Sequence, residues 1–462
     1  MTNTKFAKYD DYKESGVEWL GRIPQSWDLI RLKDVTQIRN SNVDKLINEG
    51  EISIQLCNYV NVYNNEFIDF SADFMWATAN DAEIKNFSLI KDDVLITKDS
   101  ETFEDIAVPA LVRESFLNVL CGYHLALIRC HILKLSPRYL HRLFQSYQYG
   151  FRFRVFAKGI TRFGLGQSGL RDALTPIPSL PEQTAIANYL DKKTSLIDRK
   201  INLLTKKAEL YTQLKQSLIN ETVTRGLPAN HLGRGLDKTV PLKDSSIEWL
   251  GKIPVHWKVK RLKDLIISLE SGCRDKGGAV DDGIVSLSAE HINWAGAFNF
   301  DSLKYISANL YDKMKNGKLK VGDTILTKDG ATIGKCAYIN KQYFDKMAVN
   351  EHMFLIRSNK YIASKFLYYL IYSKVGYDQL RSQMKTTAIP GINLNINNAT
   401  YFPIPSKNEQ CMLIEFLDKK TYQIDKIIET INTQIEKLKE LRKTLINDVV
   451  TGKIKVYKEG KA

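Results

Sequence analysis

The chain repeats itself, and that repeat limits its fold more than any other feature. Residues 15–34 read SGVEWLGRIPQSWDLIRLKD and residues 245–264 read SSIEWLGKIPVHWKVKRLKD, so Trp19 and Trp27 recur as Trp249 and Trp257 after 230 residues. At the same offset LITKD (Leu95 to Asp99) meets ILTKD (Ile325 to Asp329), and at 228 GYHLALIR (Gly122 to Arg129) meets NEHMFLIR (Asn350 to Arg357). PIPSLPEQ (Pro176 to Gln183) returns as PIPSKNEQ (Pro403 to Gln410), LDKKT at 190–194 returns at 417–421, and LIN at 218–220 returns at 445–447, all at 227. Two copies of one unit therefore fill the 462 residues. The copies agree at their ends and diverge in their middles, 36–90 and 266–318, as expected of units that keep one fold but present different surfaces.

Each copy has two parts. The first alternates short apolar runs such as ISIQLCNYV, DVLITK and HLALIRC with Gly, Asn and Asp clusters, which reads as mostly β. SPRYLHRLFQSYQYGF and KYIASKFLYYLIYSKVGY read as helices, so the domain is α+β. The second part is one long helix, starting after Pro181 in the first copy and after Asn408 in the second. Leu190, Ile197, Ile201, Leu204, Ala208, Tyr211 and Leu218, with Thr194, fall on heptad a and d positions. The second copy repeats the stripe at Leu417, Ile424, Ile428, Ile431, Ile435, Leu438 and Leu445, with Thr421. Roughly 40 residues of helix span about 60 Å, and a lone helix of that length leaves its stripe wet. Pairing the two helices buries both stripes, at about 0.8 kcal/mol per CH2. If they pair antiparallel, the domains are related by a pseudo-twofold axis. The expected boundaries are domains at 1–180 and 241–407, helices at 181–226 and 408–452, a linker at 227–240 and a tail at 453–462.

Composition narrows the partner. Sixty-six Lys plus Arg against 52 Asp plus Glu give +14, which favours an anionic partner such as nucleic acid. The charges are interleaved, without a polybasic tail, so selective contact is expected rather than indiscriminate binding. The six cysteines stand alone and read as reduced, buried thiols, without metal-ligand spacing. Neither an apolar leader nor an 18-residue apolar run occurs, so a soluble, cytoplasmic protein is expected.

Catalytic motifs fail one by one. GLGQSG (164–169) matches a dinucleotide-binding turn literally, but proline-bearing DALTPIPSLP follows where that fold needs a helix. GATIGK (Gly330 to Lys335) is one residue short of a phosphate loop and continues with Cys336, so a tight turn between strands is expected. A base-flipping methyltransferase needs Asn or Asp before Pro-Pro and an aromatic, and the chain contains no Pro-Pro. His124 and His352 recur in equivalent places but lack a matching Cys or Ser, which favours hydrogen-bonded histidines beside strands. Binding is what remains. Lys98 with Asp99 and Lys328 with Asp329 leave apolar strands for loops, where they could reach bases or phosphates. The segments 152–164 and 381–391 add Lys158, Arg162, Lys385, Thr386 and Thr387 as DNA-facing candidates, and Lys335 ends the GATIGK turn.

The phrase E-W-L-G-x-I-P-x-x-W, the PIP…EQ junction and the LDKKT…LIN helix ending in VTG together resemble the specificity subunit of type I restriction-modification systems, over essentially the whole chain. The resemblance implies two mostly β target recognition domains, each reading one half of a split double-stranded DNA sequence. It also implies an antiparallel coiled coil that separates them and sets the unread spacer. It implies no catalytic centre and no cofactor in this chain. Two modification subunits would use S-adenosylmethionine to methylate adenine N6, and two ATP- and Mg-dependent restriction subunits would translocate and cut. SETFEDIAV (Ser100 to Val108) departs from the GATIGK form at the equivalent turn of the first copy. Competing readings are a fused methyltransferase and an orphan recognition adaptor of another defence complex.

Overall fold

A computed structural model describes residues 7–227, 240–384 and 391–457. Lys385, Thr386, Thr387 and nearly all of the expected linker lie outside the described residues. The chain forms two compact units, one made of residues up to Thr205 together with Thr433 onward, the other of Lys206–Asn432. Each unit thus contains parts of both long helices, Leu180–Arg225 and Lys407–Val450.

In the first unit the strands Thr36–Asn40, Leu125–Cys130, Val94–Thr97, Pro109–Val112 and Phe67–Ile68 form one sheet, in that order. A second sheet orders Val119–Cys121, Ile52–Cys57 and Met75–Ala79. In the second unit Ile266–Ser271, Met353–Ser358, Thr324–Thr327 and Cys336–Tyr338 repeat the first sheet without its outermost strand, while Tyr305–Ile306, Ile284–Leu287 and Met347–Val349 form the smaller one. The central strands carry consecutive apolar residues, without polar alternation, because they feed two cores. Alternation sends Val94, Ile96, Ala126 and Ile128 into one cluster and Leu95, Leu125 and Leu127 into the other. Leu326, Phe354 and Ile356 against Ile325, Met353 and Leu355 repeat the division.

ISIQLCNYV is not one strand. Its strand stops at Cys57 and a helix begins at Tyr59, because the Asn58 side chain accepts from the backbone N–H groups of Val60 and Asn61. No helix continues beyond GLGQSG in the manner of a dinucleotide-binding turn, as expected: the five-residue helix Gln167–Arg171 begins inside the motif and stops before DALTPIPSLP, which carries the strand Leu174–Ile177. GATIGK is a turn between antiparallel strands, with Gly330 and Gly334 at φ +84° and +90°. SPRYLHRLFQSYQYGF forms the helices Pro137–Phe144 and Tyr147–Phe156, matched by Ser364–Tyr372 and Lys374–Ser382.

The long helices pack antiparallel within each unit. Ile186 and Leu190 near the start of one share a buried cluster with Leu445, Ile446, Val449 and Val450 near the end of the other. In the second unit Leu413, Phe416 and Leu417 meet Ile219 and Val223. Arg442 pairs with Asp198 at 2.9 Å and Lys215 with Asp425 at 2.8 Å. Leu190, Thr194, Leu417, Thr421, Ile424, Ile431, Ile435 and Leu445 are buried, and Ile197, Ile201, Leu204, Ala208, Tyr211, Leu218, Ile428 and Leu438 half-buried. Leu196, Leu203, Leu210 and Leu214 form an unanticipated second stripe that stays exposed.

The repeated junction motifs splice helices to domains. Gln183 accepts the Ser136 N–H at 2.7 Å and donates to the carbonyls of Lys134 and Pro178; Gln410 does the same with Ala363, Tyr361 and Pro405. Asp191 takes Arg138 and Arg142, while Asp418 takes Lys365 and the Tyr369 hydroxyl. The asparagines of LIN recur as caps: Asn447 accepts from Ser146 and the Gln148 N–H, and Asn220 from the Val375 N–H. Each helix then stops at a left-handed glycine, Gly226 or Gly452. A Cβ on Gly452 would stand 2.3 Å from Pro24 and 3.4 Å from the buried Trp27, so only glycine fits.

Candidate nucleic-acid interface

Lys98 and Asp99 leave the buried strand Val94–Thr97, and the short strand Phe163–Gly164 folds back on Asp99 and Ser100. The Lys98 N–H donates to the His124 carbonyl at 2.9 Å, and Leu165 donates to the Lys98 carbonyl at 2.7 Å. The second unit reproduces both bonds, from Lys328 to His352 at 3.0 Å and from Ile392 to Lys328 at 2.7 Å, and bridges Asp329 to Gly391. A Lys-Asp…His frame is therefore duplicated in backbone as well as in sequence.

The side chains on it differ. In the first unit Lys98 Nζ lies 2.6 Å from Asp99, whose carboxylate stands 3.5 Å from His124 Nδ1. The Arg162 guanidinium reaches His124 Nε2 at 2.7 Å. Burial, then Arg162, holds the His124 pKa below its ordinary value, outweighing Asp99, so the ring is neutral at pH 7 and can accept from the guanidinium. In the second unit His352 Nδ1 lies 2.6 Å from Asp329, while Lys328 Nζ donates to Ser271 Oγ at 2.9 Å.

The structure brings Lys98, Lys158 and Arg162 onto one edge. Lys158 and Gly164 exchange backbone hydrogen bonds across a hairpin that carries Arg162 at its turn. Lys158 and Arg162 are exposed, whereas Lys98 is 15% exposed and ion-paired. The Lys335 carbonyl accepts from the Thr327 N–H at 2.8 Å, next to Lys328, while its ammonium lies 5.9 Å over the Trp294 ring, in a recess of about 410 Å³ shared with Tyr372 and Tyr377. His124 and His352 are hydrogen-bonded histidines beside strands, as expected, and they stand on the same frame as the Lys-Asp pairs. What the recurrence at offsets of 230 and 228 did not reveal is that each histidine lies against the aspartate of its own Lys-Asp pair.

The chemistry on offer is hydrogen bonding and charge. Burial pushes the Cys57, Cys121 and Cys336 thiols up, away from reactive thiolates. Among the described residues no group of three or more His, Cys, Asp or Glu is arranged to hold a metal, and no helix is long and apolar enough to cross a membrane.

Residues 254–437 match the family described as type I restriction modification DNA specificity domain. The chain is 25% identical over 98% of its length, and 98% of the relative's, to a protein of Methanocaldococcus jannaschii named putative type I restriction enzyme MjaX specificity subunit. It is 24% identical to the EcoBI specificity subunit of Escherichia coli, over 70% of this chain and 68% of that one. A solved structure described as showing complex assembly and conformational transition of the type I R-M system shares the fold, with a TM-score of 0.67 at 14% identity over 93% of this chain and 98% of that chain.

Proposed function

Because the chain belongs to the specificity subunits of type I restriction-modification systems, we propose that it reads a bipartite double-stranded DNA target, one half-site per unit. The observation that carries this reading is the duplicated Lys-Asp…His frame dressed with different side chains. One scaffold used twice with different surfaces is what reading two unlike half-sites requires. Exposed Lys158 and Arg162 supply phosphate contacts that position the duplex, and groups on the frame face the bases.

In this reading the chain is non-catalytic. Two modification subunits bring S-adenosylmethionine and methylate adenine N6, and two restriction subunits bring ATP and Mg. The paired long helices set the distance between the half-sites. The protein works in the cytoplasm, where its DNA is. The test is selection of duplexes from a randomised library by the full chain purified with its modification subunit. Recovery of one two-part motif with a fixed gap is expected; recovery of random sequence would overturn the reading.

A further inference from the structure

The second unit contains a recess of about 220 Å³ beside its His352, in which the polar groups of Arg274, Ser286, Asn350, Glu351 and His352 stand among apolar walls that include Tyr305 and Ile306. Ser286 is 4% exposed, and its hydroxyl has no hydrogen-bond partner among the described residues. A buried hydroxyl left unpaired is costly unless something entering the recess completes it.

The first unit places different residues at the equivalent positions. Strand register places Leu56 where the second unit has Ser286, since Leu56 pairs with Leu120 and Ser286 with Ala348 at the same step. Gly122 donates to the Cys57 carbonyl as Asn350 donates to Leu287, so Gly122 and Tyr123 stand where Asn350 and Glu351 do. Tyr123 then packs its ring 3.7 Å from that of His124. Polar groups in one unit are thus replaced by apolar or aromatic ones in the other, on an unchanged backbone.

Resting on the half-site reading above, we infer that this recess reads a G·C base pair in the half-site of the second unit. Arg274 Nε lies 3.0 Å from Glu351, so a guanidinium fork and a carboxylate stand side by side. In the major groove a G·C pair shows two acceptors, guanine N7 and O6, followed by a donor, cytosine N4. Donor fork beside acceptor matches that order. An A·T pair sets the adenine amino group against the guanidinium, donor against donor. Asp329 and Glu351 flank the His352 ring at 2.6 and 3.4 Å, which ties the Arg274–Glu351 pair to the duplicated frame. The hydroxyl of Ser286 is free to serve as donor or acceptor to what enters, whereas that of Ser288 already donates to Glu290 at 2.9 Å.

The test is the same library selection with Arg274→Ala, whose side chain is 66% exposed and whose loss leaves the core intact, and with Glu351→Tyr, which installs the residue of the first unit. Each variant is expected to lose G·C preference at one position of one half-site, about tenfold or more, with the other half-site and the gap unchanged. If wild type recovers a two-part motif and Arg274→Ala recovers it unaltered, the inference falls while the half-site reading stands. If wild type recovers no motif, both fall.

Discussion

His141 shows how one buried side chain makes the first unit sensitive to acid. It is 1% exposed in the helix Pro137–Phe144, its ring 5.4 Å from Phe67. Burial, with Arg142 adding to it, pushes its pKa down to about 3. An unfolded chain takes up the proton near pH 6.5 and the folded one does not. Stability is therefore fully present above pH 6.5 and is lost as pH falls toward 3. Between pH 6.5 and 5 the loss is about 2 kcal/mol. The second unit places Tyr368 at this position, so His141→Tyr should flatten the fall in urea midpoint between pH 7.5 and 5; an unchanged fall would assign the acid sensitivity elsewhere. Gln183 and Gln410 carry the other residue-scale prediction. Each is fully enclosed and closes three backbone bonds, so either alanine variant should cost about 1–3 kcal/mol in chemical denaturation. A loss near zero would mean that water replaces the amide.

The heptad stripe was legible because its period is local: seven-residue spacing can be counted without knowing what covers it. What covers it was also inferable, because two such stripes occur in one chain. The exposed run Leu196, Leu203, Leu210 and Leu214 was not, since it shares the spacing and differs only in what lies against it. Glu66 shows the same limit at the helix surface. Burial would raise its pKa, but Arg442 and Arg142 hold it below the usual range. Those partners come from positions 376 and 76 residues away. If the paired helices measure the gap, adding one heptad after Thr205 and another after Asn432 keeps both stripes and lengthens the pair by about 10 Å. The recovered gap should grow by about three base pairs with both half-sites unchanged. Altered half-site bases would contradict the role of the helices as a spacer.

The duplication of the whole molecule was the most readable feature, and it carried the fold class with it. The recess beside His352 was not readable. Arg274, Ser286 and Asn350 come from three separate segments that only the tertiary fold brings together, and a Ser-for-Leu exchange in a divergent stretch has no local signal. The net charge of +14 belongs to this scale as well. DNA affinity should fall steeply with salt, because neutralising phosphates releases counterions, and a flat dependence would remove phosphate contact from the account. The most direct test of the central claim is a map of N6-methyladenine by single-molecule sequencing, in cells with and without this gene and with its modification gene present. Methylation is expected at one bipartite motif and disappears on deletion, delivering both half-sites and the gap at once. Methylation that is unchanged by deletion would contradict the claim.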